Sequence, residues 1–318
     1  MSEQHKGRAV VIGTGMMGPG IAVSLALGGC RATIVSRRAE SARRGLAAAQ
    51  AQLEVLRENE LVTAEAATEA ALRLEAGAEL AAAAARASVV VESVPEELGL
   101  KQALFAELDE LAPAEAILAS NTSGLSITAI AARCRRPERV LTAHFWNPPH
   151  LMPLVEIVRG ERTSDAAVDE MRALLAACGK TPVLVKKDRP GQLGNRLQMA
   201  LFREAVHIVQ EGIAEAQDVD TAARLGFGIR LPVYGILEHI DMVGLPLARA
   251  VCDYVARDLN NEPRAPELFD RKIAAGDTGV AAGRGFYDWS RRDAAAVRAR
   301  RDRFLINCLK QGIGREAS

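Results

Sequence analysis

The sequence predicts an α/β chain in two parts: a Rossmann-type, doubly wound parallel sheet followed by an all-helical domain. Three observations carry this. Short β-branched runs alternate with helix-forming stretches from residue 9 to residue 185, the pattern of successive βαβ units. After residue 185 the strand signal stops, and apolar residues recur only at helical spacing. A glycine-rich turn, GTGMMGPG at 13–20, joins the first apolar run to an Ala-rich stretch.

In order, strands are expected over 9–12, 31–35, 87–94, 116–120, 140–145, 154–158 and 181–185. Each is a short run dense in Val, Ile, Leu or Ala, as buried parallel strands are. Helices are expected over 21–27, over 39–74 with a break near 59–63, and over 80–87, 98–111, 127–134 and 164–178. Ser164 reads as the N-cap of the last of these and Gly179 as its stop. The polar stretch KKDRPG at 186–191 is the natural boundary, giving domains 1–188 and 189–318. Beyond it, helices are expected over 192–215, 219–225, 234–242, 247–259 and 292–310, with a turn into a short extended piece at 283–287. No internal repeat is evident.

Composition removes several function classes. At 318 residues, with 49% hydrophobic and 25% charged content, the chain can bury the core of two domains. Lys and Arg number 40 and so do Asp and Glu, so no net basic field draws nucleic acid or an anionic membrane. No apolar run is long enough to span a bilayer. The start, MSEQHKGRAV, lacks the layout of a signal peptide, so a cytoplasmic protein is expected. The five cysteines, Cys30, Cys134, Cys178, Cys252 and Cys308, are scattered and form no Cys-x-x-Cys pair. They read as reduced thiols.

The glycine turn reads as a dinucleotide site because it follows a strand and opens a helix. Gly13 allows the tight turn, Gly15 lets backbone approach a pyrophosphate, and Gly18 lets the helix pack on the strand. Met16 and Met17, inside the turn, count among the cofactor-contacting residues. The helix N-terminus adds unpaired N–H groups and positive potential. The second strand ends at Ser36, Arg37 and Arg38. An acid there would bind the adenosine ribose hydroxyls and repel a 2′-phosphate. A hydroxyl and two guanidinium groups suit a phosphate instead, so NADP is favoured over NAD.

Ligands of such sheets bind at the carboxyl ends of the strands. Glu96, Asn121 and Ser123 follow strands, His144 ends one, and Glu156 lies on the next. Asn195 follows just past the boundary, where an interdomain cleft would hold substrate. Alcohol oxidation needs a base for the hydroxyl proton, and histidine suits it. A carboxylate partner fixes the tautomer. His144 and Glu156, on neighbouring strands joined by a proline loop, supply both. His207 and His239 sit on expected helices and read as structural, while His150 stands near the expected substrate region. No His/Asp/Glu cluster has metal-ligand spacing, so the proton chemistry is expected to be metal-free.

Taken together, GTGMMGPG at 13, SNTSGL at 120, HFWNPP at 144, LVEIV at 154, PGQLGNR at 190, VGL at 243 and GRGFY at 283 resemble the L-3-hydroxyacyl-CoA dehydrogenase family over nearly the full length. The resemblance implies an oxidoreductase that interconverts 3-hydroxy and 3-keto groups. It implies His144 as catalytic base, Glu156 as its partner, Ser123 as a substrate-oxygen and nicotinamide contact, and Asn195 beside the reacting carbonyl. It implies Glu96, Lys101 and Asn147 as cofactor contacts, and a homodimer formed through the helical domain. The chain departs from the family at Ser36, where an acid is usual, and at Gln192, in place of the Phe of PGF. It departs again at 229–234, IRLPVY. The HFWNPPH loop is similar to branches acting on small acids such as L-gulonate, carnitine and a pyridine-carboxylate alcohol, where Arg230 could meet a carboxylate. The β-hydroxyacid dehydrogenases need a lysine on the first long interdomain helix, and 192–215 contains none. A crystallin-like, non-catalytic protein is the reading from another class; the complete set of His144, Glu156, Ser123 and Asn195 speaks for chemistry.

Overall fold

A computed structural model describes residues 7–314. Residues 1–6, most of the stretch read for a leader, lie outside the described residues. Packing divides the chain into two compact units: Met1–Asn195 with Asp302–Ser318, and Arg196–Arg301.

The first unit is built on β1 (Arg8–Ile12), β2 (Arg31–Val35), β3 (Leu74–Gly77), β4 (Val89–Glu92), β5 (Ile117–Ser120), β6 (Val140–Phe145), β7 (Leu154–Arg159) and β8 (Thr181–Val185). They form one sheet in the order β3-β2-β1-β4-β5-β6-β7-β8. All neighbours are parallel except β6 and β7. The helices are α1 (Gly18–Leu27), α2 (Ala39–Glu58), α3 (Ala64–Arg73), α4 (Leu80–Ala84), α5 (Leu98–Leu111), α6 (Ile127–Ile130) and α7 (Asp165–Ala177).

The strands are continuous apolar runs because both faces of the sheet are covered. Along β1, Ala9 and Val11 join one core with Ile21, Leu25, Leu53 and Val168, while Val10 and Ile12 join a second core with Phe105, Leu108 and Ile130. Alternate side chains pointing to opposite faces thus place α1, α2 and α7 on one side and α5 and α6 on the other. Phe105 is fully buried, which stabilises by roughly 1.5–3 kcal/mol. Hydroxyl caps start three helices: Thr63, Ser126 and Ser164 accept from Ala66, Ala129 and Ala167.

The second unit is helical: the greater part of α8 (Gly194–Gln210), then α9 (Ala216–Ala222), α10 (Ile236–Val243), α11 (Leu245–Val255), α12 (Glu267–Ala274) and the start of α13 (Ala294–Lys310). Its β-type pairing, among the described residues, is limited to isolated bridges at Gly279, Arg284 and Asp288.

Three differences from the sequence reading have physical causes. β3 is an edge strand where helix was expected to end; Leu74 to Gly77 pair in parallel with β2, so tertiary pairing decides its state. α12 was not expected: Leu268, Phe269, Ile273 and Ala274 of ELFDRKIA are apolar, but eight residues are too short a window for a helical period to stand out. The division falls after Asn195 rather than after residue 188, and the described residues from Asp302 on group with the sheet. Leu305, Ile306 and Leu309 pack on the sheet's core, and Thr181 Oγ1 donates to the Gly314 carbonyl at 2.8 Å. No helix among the described residues is long and apolar enough to cross a membrane.

Candidate active site and cofactor cradle

The glycine turn is shaped by backbone crowding. Gly13 has φ +118°, and a Cβ there would sit 2.4 Å from the Ser93 carbonyl oxygen. A Cβ on Gly18 would sit 2.0 Å from the Gly13 carbonyl oxygen. Gly15 differs: nothing lies within 4 Å of its Cβ position, so its face is open to a ligand. Met17, at the N-cap of α1, makes no side-chain cap bond, and the first turn holds no acid, leaving its N–H groups and dipole to an anion. Met16 is exposed, and Met17 packs partly on the core. The turn therefore fits a dinucleotide pyrophosphate. Ser36 leaves β2 with its N–H bonded to the Gly77 carbonyl, and Arg37 and Arg38 are exposed.

Beside the turn, β4 ends in Glu92, which is fully buried. A buried carboxylate must be paired. Glu92 Oε1 accepts from Lys101 Nζ and the Val94 amide, both at 2.6 Å, and Oε2 accepts from Ser120 Oγ at 2.7 Å. Lys101 is 1% exposed. Its ammonium meets Glu92 Oε1 at 2.6 Å and reaches Glu96 Oε2 at 3.3 Å. Glu96 is exposed on one side, and its Oε1 gathers the Thr122 hydroxyl and the Ser123 and Gly124 amides. Burial pushes this carboxyl up, but the Thr122 hydroxyl, the Lys101 charge and the Ser123 amide together hold it below its ordinary value. Asn121 Oδ1 accepts from the Phe145 amide at 2.8 Å, tying the end of β5 to β6. Asn147 is exposed and joined to Pro148 by a cis peptide bond.

The antiparallel step in the sheet sets His144 opposite Glu156. Directly opposed residues of such a pair project to the same face, and Nδ1 of His144 lies 2.7 Å from Glu156 Oε2. Because β7 runs against β1 to β6, the first half of β7 lies at the carboxyl ends of those strands. His144 is 5% exposed and Glu156 fully buried. The remaining acceptor sites of Glu156 are also filled. Oε1 takes the Leu193 and Gly194 amides at 3.0 and 2.8 Å, and Oε2 takes the Trp146 indole N–H at 3.1 Å. The chain delivers those two amides by turning through positive φ at Gly191 (+77°) and Gln192 (+54°). Burial pushes the Glu156 carboxyl up; the His144 hydrogen bond and charge and the two amides pull it further down, so it lies below its ordinary value. As a carboxylate it can only accept, so Nδ1 is the donor in this bond, and in a neutral imidazole Nε2 is then the acceptor.

The same segment closes the site. Gln192 is buried, with Nε2 on the Thr122 carbonyl at 2.7 Å, and Asn195 Nδ2 donates to the Ser123 carbonyl at 2.8 Å. His144, Glu156, Ser123 and Asn195 are thus linked within one unit, and Ser123 is exposed beside them. Arg230 lies in a short 3-10 turn, Gly228–Arg230, of the other unit and is exposed. The other unit also holds an apolar cavity of about 860 Å³ lined by Val206, Phe269, Ile273 and Trp289 among others; none of the expected site residues lines it. Sequence reasoning missed Glu92, Trp146 and the hydrogen bonds of Gln192. An acid closing the apolar run VVVE was a signal for Glu92; nothing in the local pattern marked Trp146.

Comparison with known proteins gives the same assignment from independent matches. The model of the 3-hydroxyacyl-CoA dehydrogenase NAD binding domain matches residues 8–189, and that of the family's C-terminal domain matches 191–289. The chain is similar to a 5-formyl-3-hydroxy-2-methylpyridine 4-carboxylate 5-dehydrogenase of Mesorhizobium japonicum, 33% identical over 96% of this chain and 98% of that protein. It is also similar to a probable 3-hydroxybutyryl-CoA dehydrogenase of Bacillus subtilis, 34% identical over 89% of this chain and 97% of that one. A solved structure described as an NAD+ dependent dismutase with the first of these activities aligns with a TM-score of 0.89 at 32% identity, over 97% of this chain and 99% of that one. With both domains matched and relatives aligned along nearly their whole length, the chain belongs to the 3-hydroxyacyl-CoA dehydrogenase family and is an oxidoreductase with that family's NAD binding domain.

Proposed function

We propose that the chain interconverts a hydroxyl and a carbonyl group on a small, non-CoA hydroxy acid, with His144 as the acid–base group. The single observation that carries this is the His144–Glu156 pair, buried, in register and 2.7 Å apart at the carboxyl edge of the sheet. A bound nicotinamide supplies the hydride acceptor or donor. In oxidation, Nε2 of His144 takes the hydroxyl proton while the carbon-bound hydrogen leaves with its electron pair. Glu156 keeps the proton on Nδ1 and stabilises the imidazolium that forms. Ser123 and Asn195 hold the substrate oxygen. In reduction, His144 returns the proton to the forming alkoxide.

Gly13, Gly15, Met16, Met17, Gly18, Asn121, Asn147 and Glu96 hold the cofactor, with Lys101 acting through Glu96. For the adenosine end we propose NADP, on the absence of an acid at Ser36 and the exposed guanidinium groups of Arg37 and Arg38. The related dismutase is described as NAD+ dependent, and tighter binding of NADH than of NADPH would replace NADP with NAD. The small-acid substrate is favoured by the near-complete, mutual coverage with the pyridine-carboxylate enzyme. Acyl-CoA is the second reading, favoured by the Bacillus subtilis relative.

The sheet-bearing unit, up to Asn195, serves for dinucleotide binding, and the helical unit, Arg196–Arg301, for substrate binding and dimerisation. The homodimer reading is supported by α10 and α11, which bury no residue and expose Leu237, Met242, Leu245 and Tyr254. A protein of the cytoplasm fits the cysteine usage.

The test is NADH and NADPH oxidation with a panel of small β-keto acids, pyridine aldehydes and acetoacetyl-CoA. Turnover of a free acid above the thioester supports the reading. Preference for the thioester would replace it with the acyl-CoA reading. Cofactor binding without oxidation across the panel would favour a non-catalytic protein.

A further inference from the structure

Glu156 needs one donor to orient His144, yet it receives a second on the same oxygen. Trp146 Nε1 lies 3.1 Å from Oε2, the atom that His144 Nδ1 meets at 2.7 Å. The indole is fixed on its other side as well. A Cβ on Gly194 would lie 2.4 Å from Trp146 Cζ2, so only glycine leaves room for the ring there. Gly194 itself donates to Oε1 of the same carboxylate. The ring stands 5.5 Å from the imidazole at 53°. Trp146 therefore touches both members of the pair and the turn that completes it.

Two consequences follow. The indole N–H fixes the rotation of the carboxylate, holding Oε2 in line with Nδ1. It also draws charge from that oxygen, because each donor to a carboxylate disperses its charge. A less charged Oε2 attracts the imidazolium less, so the coupled pair releases its proton more readily. We propose that Trp146 is a positioning residue that sets the lower pH limit of alcohol oxidation by sharing Glu156 Oε2 with His144. This rests on the reading of His144 as the acid–base group.

The experiment compares Trp146→Phe and a variant carrying benzothienylalanine at 146, which keeps the bicyclic shape and lacks the N–H. The readout is kcat/KM against pH in both directions. In both variants the acid limb of oxidation and the alkaline limb of reduction should move up by about 0.5–1 pH unit. On the acid limb that is a three- to tenfold loss, while the plateau stays within about tenfold. The benzothienyl variant preserves packing if the Phe variant does not fold. Limbs unmoved in the benzothienyl variant, with or without a lower plateau, would overturn the proposal. His144→Ala is run alongside. If it retains turnover, the assignment of His144 fails and Trp146 has no such role; if it is inactive and the limbs stay fixed, only the role of Trp146 fails.

Discussion

Replacing Glu156 by Gln takes an acceptor oxygen from a buried group that serves four donors. Two orientations of the new amide are open. With its NH2 toward the Leu193 and Gly194 amides, two buried donors lose their acceptor, at about 1–3 kcal/mol each. With its NH2 toward His144 and Trp146, only the indole N–H is stranded, because Nδ1 can accept instead. The second orientation is the cheaper by one unmade hydrogen bond, and it puts the imidazole proton on Nε2. His144 can then no longer take a proton from a substrate hydroxyl. The expected loss of kcat is on the order of 10³–10⁴, with a stability loss of about 1–3 kcal/mol. Steady-state oxidation by cofactor absorbance reads the first, and urea unfolding reads the second. A Glu156→Gln enzyme within tenfold of wild type would refute the reasoning, since the tautomer would then not matter.

Gly18→Ala should weaken cofactor binding more than tenfold, because its Cβ meets backbone at 2.0 Å. Gly99→Ala, in α5 with nothing within 4 Å, is the control and should stabilise by about 0.5–1 kcal/mol; equal effects in fluorescence titration and melting would contradict the account. Asp109→Ala should destabilise by about 3–5 kcal/mol, because it strands the buried Arg139 that now bonds Asp109 Oδ1 at 2.9 Å. Burial pushes the Asp109 carboxyl up, but Arg139 and the Arg135 and Arg136 amides bring it below its ordinary value. The contribution is therefore present above the unfolded value and lost as pH falls through the folded one; the gap between wild type and variant should close in acid. Lys180 is the opposite case: burial pushes it down to about 8 from 10.5, with Nζ on the Pro149 and Met152 carbonyls. Between those values the unfolded chain binds more protons, so stability should rise with pH by up to about 3 kcal/mol. Lys180→Met should flatten that rise in urea midpoints taken at pH 7.5 and 9.5.

The sheet was legible because its strands are buried on both faces, so each reads as an unbroken apolar run bounded by turn residues. His144 and Glu156 were legible for a related reason: a polar residue in such a run must be paired or used. β3 was not legible, since LEAG has no strand signature apart from its pairing with β2. The carboxyl-terminal residues were assigned to the wrong neighbours for the same reason; Ile306 and Leu309 show their helical spacing but not the core they pack on. Trp146 was hidden because what sets it apart is a contact with Glu156 on the next strand, and a tryptophan after a strand is ordinarily core. Lys101 matched a motif, but its burial against Glu92 depends on how α5 packs on β4.

The most direct test of the central claim is a paired measurement on His144→Ala: cofactor affinity by nicotinamide fluorescence and turnover with the best substrate. The account predicts affinity within about threefold of wild type and turnover lowered by about 10²–10⁴. Intact affinity with turnover within tenfold of wild type would contradict it.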